Sequence, residues 1–216
     1  KGVVMKAHYN GLIPRNPFIQ VHISPNVKER EYLTEDELKA VMTHEFADSK
    51  LAYIRDIFIF ASFTALSFVD IQELTNDNIV EVNGEKWILS KRHKTKVAFQ
   101  VKLLDIPLQI VERYRPMQKD NRIFPGLNYW SICKPLKRMI RECGITKSIS
   151  FHCSRHGFAT LALSKGMPIE SVSRVLGHTN IVTTQLYAKI TTQKLDNDLT
   201  MFGDKLSKTF NGITMS

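Results

Sequence analysis

The chain has 216 residues, 43% of them apolar and 24% charged, with a formal net charge of +9. That much apolar surface excludes a disordered chain, and the length suits one sizeable domain or two small ones. Three cysteines, an odd number, exclude a disulfide framework and fit a reducing compartment such as the cytoplasm. The longest uncharged stretch, between Asp56 and Asp70, is shorter than the roughly 17–25 residues that span a bilayer, so no membrane partner is expected. The chain opens on Lys1, without a signal peptide or an initiating Met, and is expected to be a piece of a longer protein.

Residues 1–30 are rich in turn formers: Asn10-Gly11, Pro14, Asn16-Pro17 and Ser24-Pro25. They read as a linker or as the end of a preceding domain, which leaves 31–216 as the main domain. Thr34-Glu35-Asp36-Glu37 has the pattern of a capping box, and Leu38, Val41, Met42 and Phe46 follow at helical spacing. A second helix is predicted over 50–66. It is mostly apolar and should be central. After Thr75 the period changes. Ile79 to Val82 and Glu85 to Leu89 flank Asn83-Gly84, two residues that tolerate positive φ, which predicts a hairpin. A third strand is predicted from Val97 to Leu103. Beyond Pro107 the pattern is helical, with helices predicted over 107–116, 129–143, 155–165, 168–176, 180–189 and 192–207. Pro168 suits a first helical turn and Gly177 a helix stop. The fold class expected is mainly α with a small three-stranded antiparallel β-sheet.

The charge is uneven. Residues 31–48 carry six acids against one base. Residues 86–119 carry nine bases against two acids, and residues 131–155 six bases against one acid. Each run alone reads as a solvated face. Together they suggest a polarised surface, and the basic excess is compatible with nucleic acid.

Three short stretches could carry chemistry: His152-Cys153-Ser154-Arg155-His156, Leu176-Gly177-His178-Thr179 and Gln185-Leu186-Tyr187. Taken singly, each residue reads as structural. His152 and His156 have the i, i+4 spacing of a zinc pair. The metalloprotease pattern needs Glu directly after the first His, however, and Cys153 stands there. Neither a metal nor another cofactor is expected. Taken together, an Arg at a helix start, two His and a Tyr suit a phosphate site around a nucleophile. Arg offers a fork matched to phosphate oxygens, and Tyr can form a covalent ester. The chemistry implied is phosphoryl transfer in which cations stabilise the charge.

The order His152-x-x-Arg155-His156, Gly177-His178, Tyr187 resembles the tyrosine recombinases, or integrases. The nine-residue gap from His178 to Tyr187 matches as well. Residues 31–38 resemble the opening helix of that family's catalytic domain. Phe63-Thr64-Ala65-Leu66 resembles its Thr-Gly-Leu-Arg segment, Lys94-Thr95 its hairpin lysine, and residues 10–17 the tail of its core-binding domain. The resemblance implies the tyrosine recombinase catalytic-domain fold over 31–216, with 1–30 the end of the preceding domain and the interdomain linker.

It also implies roles. Tyr187 would attack the scissile phosphate and leave a 3′-phosphotyrosine, without metal or ATP. Arg155 and His178 would bind the phosphate. Lys94 would protonate the leaving 5′-oxygen. His152 would act in proton transfer with Tyr187 or hold the site, and His156 would pack or cap. Asp70 would support the site by hydrogen bonding to a site His. The partners implied are double-stranded DNA recombination sites, a homotetramer on DNA and host DNA-bending proteins. The apolar positions Leu195, Leu199, Met201, Phe202 and Leu206 would form a C-terminal helix docked on a neighbouring protomer.

One position departs from the pattern. The family's first catalytic arginine should sit where Ser67 stands. Integrases of conjugative transposons from gut anaerobes resemble this sequence in lacking it. Arg92, two residues before Lys94 on a predicted strand and so on the same face, is the expected substitute. Contact with a neighbouring phosphate is its alternative role. The rival functions are a helix-turn-helix regulator, since residues 168–180 read well as that motif, a DNA-relaxing topoisomerase relative, and an inactive relic.

Overall fold

The computed structural model describes residues 2–18, 31–93, 96–118, 120–188 and 192–211. The chain forms two units, residues 1–30 and 31–216. The first holds a helix, α1 (Gly2–Tyr9), which ends in the Asn10-Gly11 turn with Gly11 at φ +70°. Sequence reading gave only turns there, because eight residues with no acid at the start carry weak helix signals.

The second unit opens with α2 (Glu35–Thr43). Thr34 Oγ1 accepts from the Glu37 amide at 3.3 Å, and the Glu37 carboxylate accepts from the Thr34 amide at 2.7 Å, the reciprocal cap that the sequence predicts. Next comes α3 (Ser49–Thr64), started by Asp48, whose side chain accepts from the Lys50 amide. Leu51, Ile54, Ile57, Phe58, Phe60 and Ala61 of α3 are buried, so this helix is the core on nearly all sides. It ends at Ala65, in the left-handed region at φ 56°. A short helix, α4 (Phe68–Gln72), follows, capped by Ser67. At five residues it shows no periodicity that a sequence could reveal.

The sheet has the order β1 (Ile79–Val82), β2 (Glu85–Lys91), β3 (Ala98–Lys102), all antiparallel. Val82 pairs with Glu85 across the Asn83-Gly84 turn, where both turn residues have positive φ. The second hairpin closes through Arg92 N–H to Val97 O and Lys96 N–H to Arg92 O, both 2.8 Å. The helices α5 (Asp105–Tyr114), α6 (Tyr129–Glu142), α7 (Cys153–Ser164), α8 (Ile169–Leu176), α9 (Val182–Gln185) and α10 (Thr192–Thr209) complete the chain. The helices α2, α5, α6 and α7 pack on α3, and α8 packs on α7 and β3.

Several boundaries differ from expectation, three of them with a physical reason. α5 begins at Asp105 and takes Pro107 into its first turn, where a missing N–H costs nothing. α7 begins at Cys153, so Arg155 is its third residue. The ten-residue helix expected over 180–189 is the single turn α9. Asn180 Oδ1 accepts from Val182 N–H at 2.9 Å, and Thr184 and Tyr187 donate to residues three back, Ile181 O at 2.7 Å and Thr184 O at 3.0 Å. Asn forms such local turns readily, and the β-branched pair Thr183-Thr184 is poor in an α-helix.

A buried carboxylate ties α3 to α5. Asp56, 3% exposed, accepts from Arg55 Nε at 2.9 Å, Arg113 Nη1 at 2.7 Å and the Tyr114 hydroxyl at 2.7 Å. Burial and this carboxylate push the Tyr114 hydroxyl pKa up, so it stays a donor. Among the described residues no helix is long and apolar enough to cross a membrane.

Candidate active site

The last carbonyls of a helix lack amide partners and carry the negative end of its dipole. At the end of α8 two of them are taken by arginines. Val175 O accepts from Arg92 Nη2 at 2.5 Å, and Leu176 O accepts from Arg155 Nη2. Arg155 Nη1 also donates to Ala65 O at 2.9 Å, so the left-handed end of α3 helps to aim it. Two guanidinium groups, from the β2–β3 hairpin and from α7, therefore meet at one helix end.

Arg92 is 5% exposed. Its Nη1 donates to Asp70 Oδ2 at 2.8 Å, and its Cζ stands 4.1 Å from the centroid of the Phe99 ring. Its Nε is buried with no hydrogen-bond partner among the described residues. Burial pushes the Asp70 carboxyl up. The His93 amide, the Arg92 guanidinium and Ser67 outweigh it and hold the group below the usual carboxylate value. Ser67 does this with its hydroxyl on Asp70 Oδ2 at 2.7 Å while capping α4. Asp70 was expected to hold a site histidine; what it holds is Arg92. Position 67 supplies no cation; the guanidinium bonded to its neighbour Asp70 is that of Arg92, from the hairpin.

Burial lowers the Arg155 pKa to about 10, and the nearby Arg92 charge adds to this, while Tyr187 and Asp70 oppose it. Arg155 is still a cation at neutral pH. Two cations against one carboxylate leave a positive surplus, the right field for a phosphate. Gly177 makes the crowding possible. It sits at φ +63°, and a Cβ built on it would lie 2.9 Å from both Cγ and Nε of Arg92.

His178 follows directly. Its Nδ1 lies 2.8 Å from Oγ1 of the fully buried Thr184. Burial first, then Arg155, Arg92 and His152, push its pKa down to about 4. The ring is neutral at pH 7. In the tautomer in which the Thr184 hydroxyl donates to Nδ1, the ring proton is on Nε2, which can then donate to a phosphate oxygen.

The hydroxyl of Tyr187 lies 2.6 Å from His156 Nδ1. His156 is 7% exposed, and His152, one turn earlier and exposed, meets it edge to face with ring centroids 4.5 Å apart. The sequence-predicted Tyr187, Arg155, His178, His152, Asp70 and Arg92 thus converge around the end of α8. Lys94 lies outside the described residues. Among the described residues no group of three or more His, Cys, Asp or Glu side chains could hold a metal ion.

Sequence reading missed three participants. The sequence assigns His156 packing or capping, marks Thr184 by no motif, and gives Gly177 a helix stop and a place in the Gly177-His178 motif but no part in making room for Arg92. The one available signal was that His156 adjoins Arg155. Nothing in the spacing ties it to a tyrosine 31 residues away.

Residues 31–194 match the phage integrase family. The chain belongs to that family. Among its relatives are tyrosine recombinase XerA of Pyrococcus horikoshii and XerD of Listeria innocua. XerA is 32% identical over 177 residues, 76% of this chain and 58% of that protein. XerD is 26% identical over 204 residues, 87% of this chain and 67% of that protein. The chain therefore spans about 58–67% of these relatives' length.

Solved structures agree on the fold. The Tn1549 transposon integrase in complex with a circular intermediate DNA superposes with a TM-score of 0.77 at 17% identity, covering 93% of this chain and 76% of that one. XerH recombinase bound to a palindromic difH substrate gives 0.65 at 22% identity, covering 82% and 54%. The fold is the tyrosine recombinase catalytic-domain fold. A helix-turn-helix reading of 168–180 fails on geometry. Its second helix would be the four-residue α9, about 6 Å long, too short to lie along a groove.

Proposed function

We propose that this chain is the catalytic part of a site-specific DNA recombinase or integrase acting through a 3′-phosphotyrosine, in the integration and excision of a mobile element in a bacterial cytoplasm. The observation that carries the reading is the meeting of Arg155, Arg92 and neutral His178 at the end of α8 with Tyr187 beside them.

Tyr187 attacks the scissile phosphorus, its oxygen forms the ester, and the bond to the 5′-oxygen breaks. The ester conserves the energy of the broken bond, so the reaction needs neither ATP nor a metal. Arg155 and His178 donate to the non-bridging oxygens, and Lys94 protonates the leaving oxygen. Arg92 takes the place of the arginine absent at Ser67, with Asp70 and the Val175 carbonyl holding its fork.

The basic face of α6, with Lys134, Lys137 and Arg141, tracks phosphates of double-stranded DNA. α10 leaves Leu195, Leu199, Met201 and Phe202 exposed, which supports docking on a neighbouring protomer within a tetramer, with host DNA-bending proteins assisting.

The test is an SDS-resistant protein–DNA adduct on nicked duplexes. It is expected for the wild type and absent in Tyr187→Phe. An adduct that survives Tyr187→Phe, or a wild type that forms none, refutes the reading.

A further inference from the structure

The resemblance gives His152 either proton transfer at the nucleophile or the holding of the site. The geometry points to another residue. We propose that His156 is the group that takes the proton of Tyr187 as its hydroxyl attacks the phosphate, with His152 positioning the His156 ring. The proposal rests on the recombinase reading and assigns a step within it.

Three observations carry it. First, the Tyr187 hydroxyl lies 2.6 Å from His156 Nδ1, inside the hydrogen-bond reach of about 2.6–3.2 Å that a general base needs. Second, His156 is buried. It lies on α7 directly after Arg155, so the proton acceptor and the phosphate-binding fork share one helical turn. Third, His152 is exposed and presents its ring to His156, edge to face, rather than standing between His156 and the tyrosine. Titratable groups set against the His156 ring include Tyr187, from the turn after α9, and His152, from α7 itself. Arg155 precedes it in the chain.

The step balances as follows. A neutral imidazole holds its proton on Nε2 and accepts from Tyr187 at Nδ1. As the tyrosine oxygen bonds to phosphorus, its proton passes to Nδ1 and the ring becomes an imidazolium. The bond from phosphorus to the 5′-oxygen breaks, and that oxygen takes its proton from the general acid. In the rejoining step a 5′-hydroxyl attacks the ester and gives its proton back to the group that served as general acid, while His156 returns its own to the departing tyrosine.

The test uses the full-length protein and nicked duplexes recovered from a randomised pool by wild-type adduct formation. Asn at 156 can keep a hydrogen bond to the hydroxyl but cannot take up a proton. His156→Asn is expected to bind these duplexes as the wild type does and to form adduct at least about tenfold more slowly at pH 7. Fluorinated tyrosine at 187, a weaker base with a more acidic hydroxyl, should recover much of that loss in His156→Asn and little in His152→Ala. A His156→Asn protein with wild-type rate and pH profile overturns the proposal, as does recovery confined to His152→Ala.

A measurement without any change at 156 guards against misfolding. In protein labelled with nitrogen-15 at histidine, His156 Nδ1 should appear as an unprotonated, hydrogen-bonded nitrogen that loses this character in Tyr187→Phe. A protonated Nδ1 overturns the proposal. A wild type that forms no adduct on any duplex refutes the recombinase reading instead.

Discussion

Gly177 answers to two demands at once. It ends α8 in a conformation that costs other residues about 1–2 kcal/mol, and it leaves room for the stem of Arg92. Gly177→Ala should therefore fold, with a lowered thermal midpoint, but displace Arg92 and slow adduct formation at least about tenfold, roughly the loss of one charge-assisted hydrogen bond. Equal rates for Gly177→Ala and wild type would show that Arg92 is not needed where it stands.

His178 makes a pH prediction. Its folded pKa of about 4 lies below its ordinary 6.5, so the folded protein binds fewer protons than the unfolded chain between these values. Stability from this residue is intact above pH 6.5 and declines as pH falls toward 4. Urea midpoints at pH 7.5 and 5 should drop further for wild type than for His178→Gln. An equal drop in both would contradict a neutral His178. At this scale the motif made Arg155, His178 and Tyr187 legible. The partners that tune them were not, because a hydrogen bond between residues 156 and 187 has no local signature.

At the scale of elements, Asp56 is the fastener between α3 and α5. Removing one member of a buried ionic network costs about 3–5 kcal/mol, since the remaining charge is left buried without its partner. Asp56→Ala should lose about that much in chemical denaturation, with Arg55 and Tyr114 left buried or part-buried. A loss under about 1 kcal/mol would mean that water replaces the carboxylate. Most elements were legible because capping boxes, the Asn-Gly turn and apolar periodicity are local. α9 was not. Residues 180–189 look helical by pattern, yet the Asn180 side chain and the Thr pair close a tight turn. That turn is what brings Tyr187 back to α7.

Across the whole molecule the charge pattern changes meaning. The acidic run 31–48 does not stand apart. Glu37 pairs with Lys147 at 2.6 Å, Glu35 with Lys165 at 2.8 Å and Asp48 with Arg138 at 3.3 Å, so part of the basic run is neutralised within the domain. Fewer basic side chains stand outside ion pairs than the composition suggests. At the far end, α10 keeps Leu199 59% and Phe202 58% exposed, an apolar face that the described residues do not cover. Truncation after Lys194 should leave single-strand cleavage near the wild-type rate and abolish complete strand exchange. Full exchange by the truncated protein would remove α10 from the assembly.

The sequence by itself determined most of the longer helices and the hairpin, the order of the chemistry-bearing residues and the family to which the chain belongs, because each is written in local spacing. Only the tertiary structure decided which cation Asp70 holds beside Ser67 and which histidine meets Tyr187. Both depend on where β2, α7 and the turn after α9 come together. That meeting is set by the packing of α8 against its neighbours, which no stretch of sequence encodes alone.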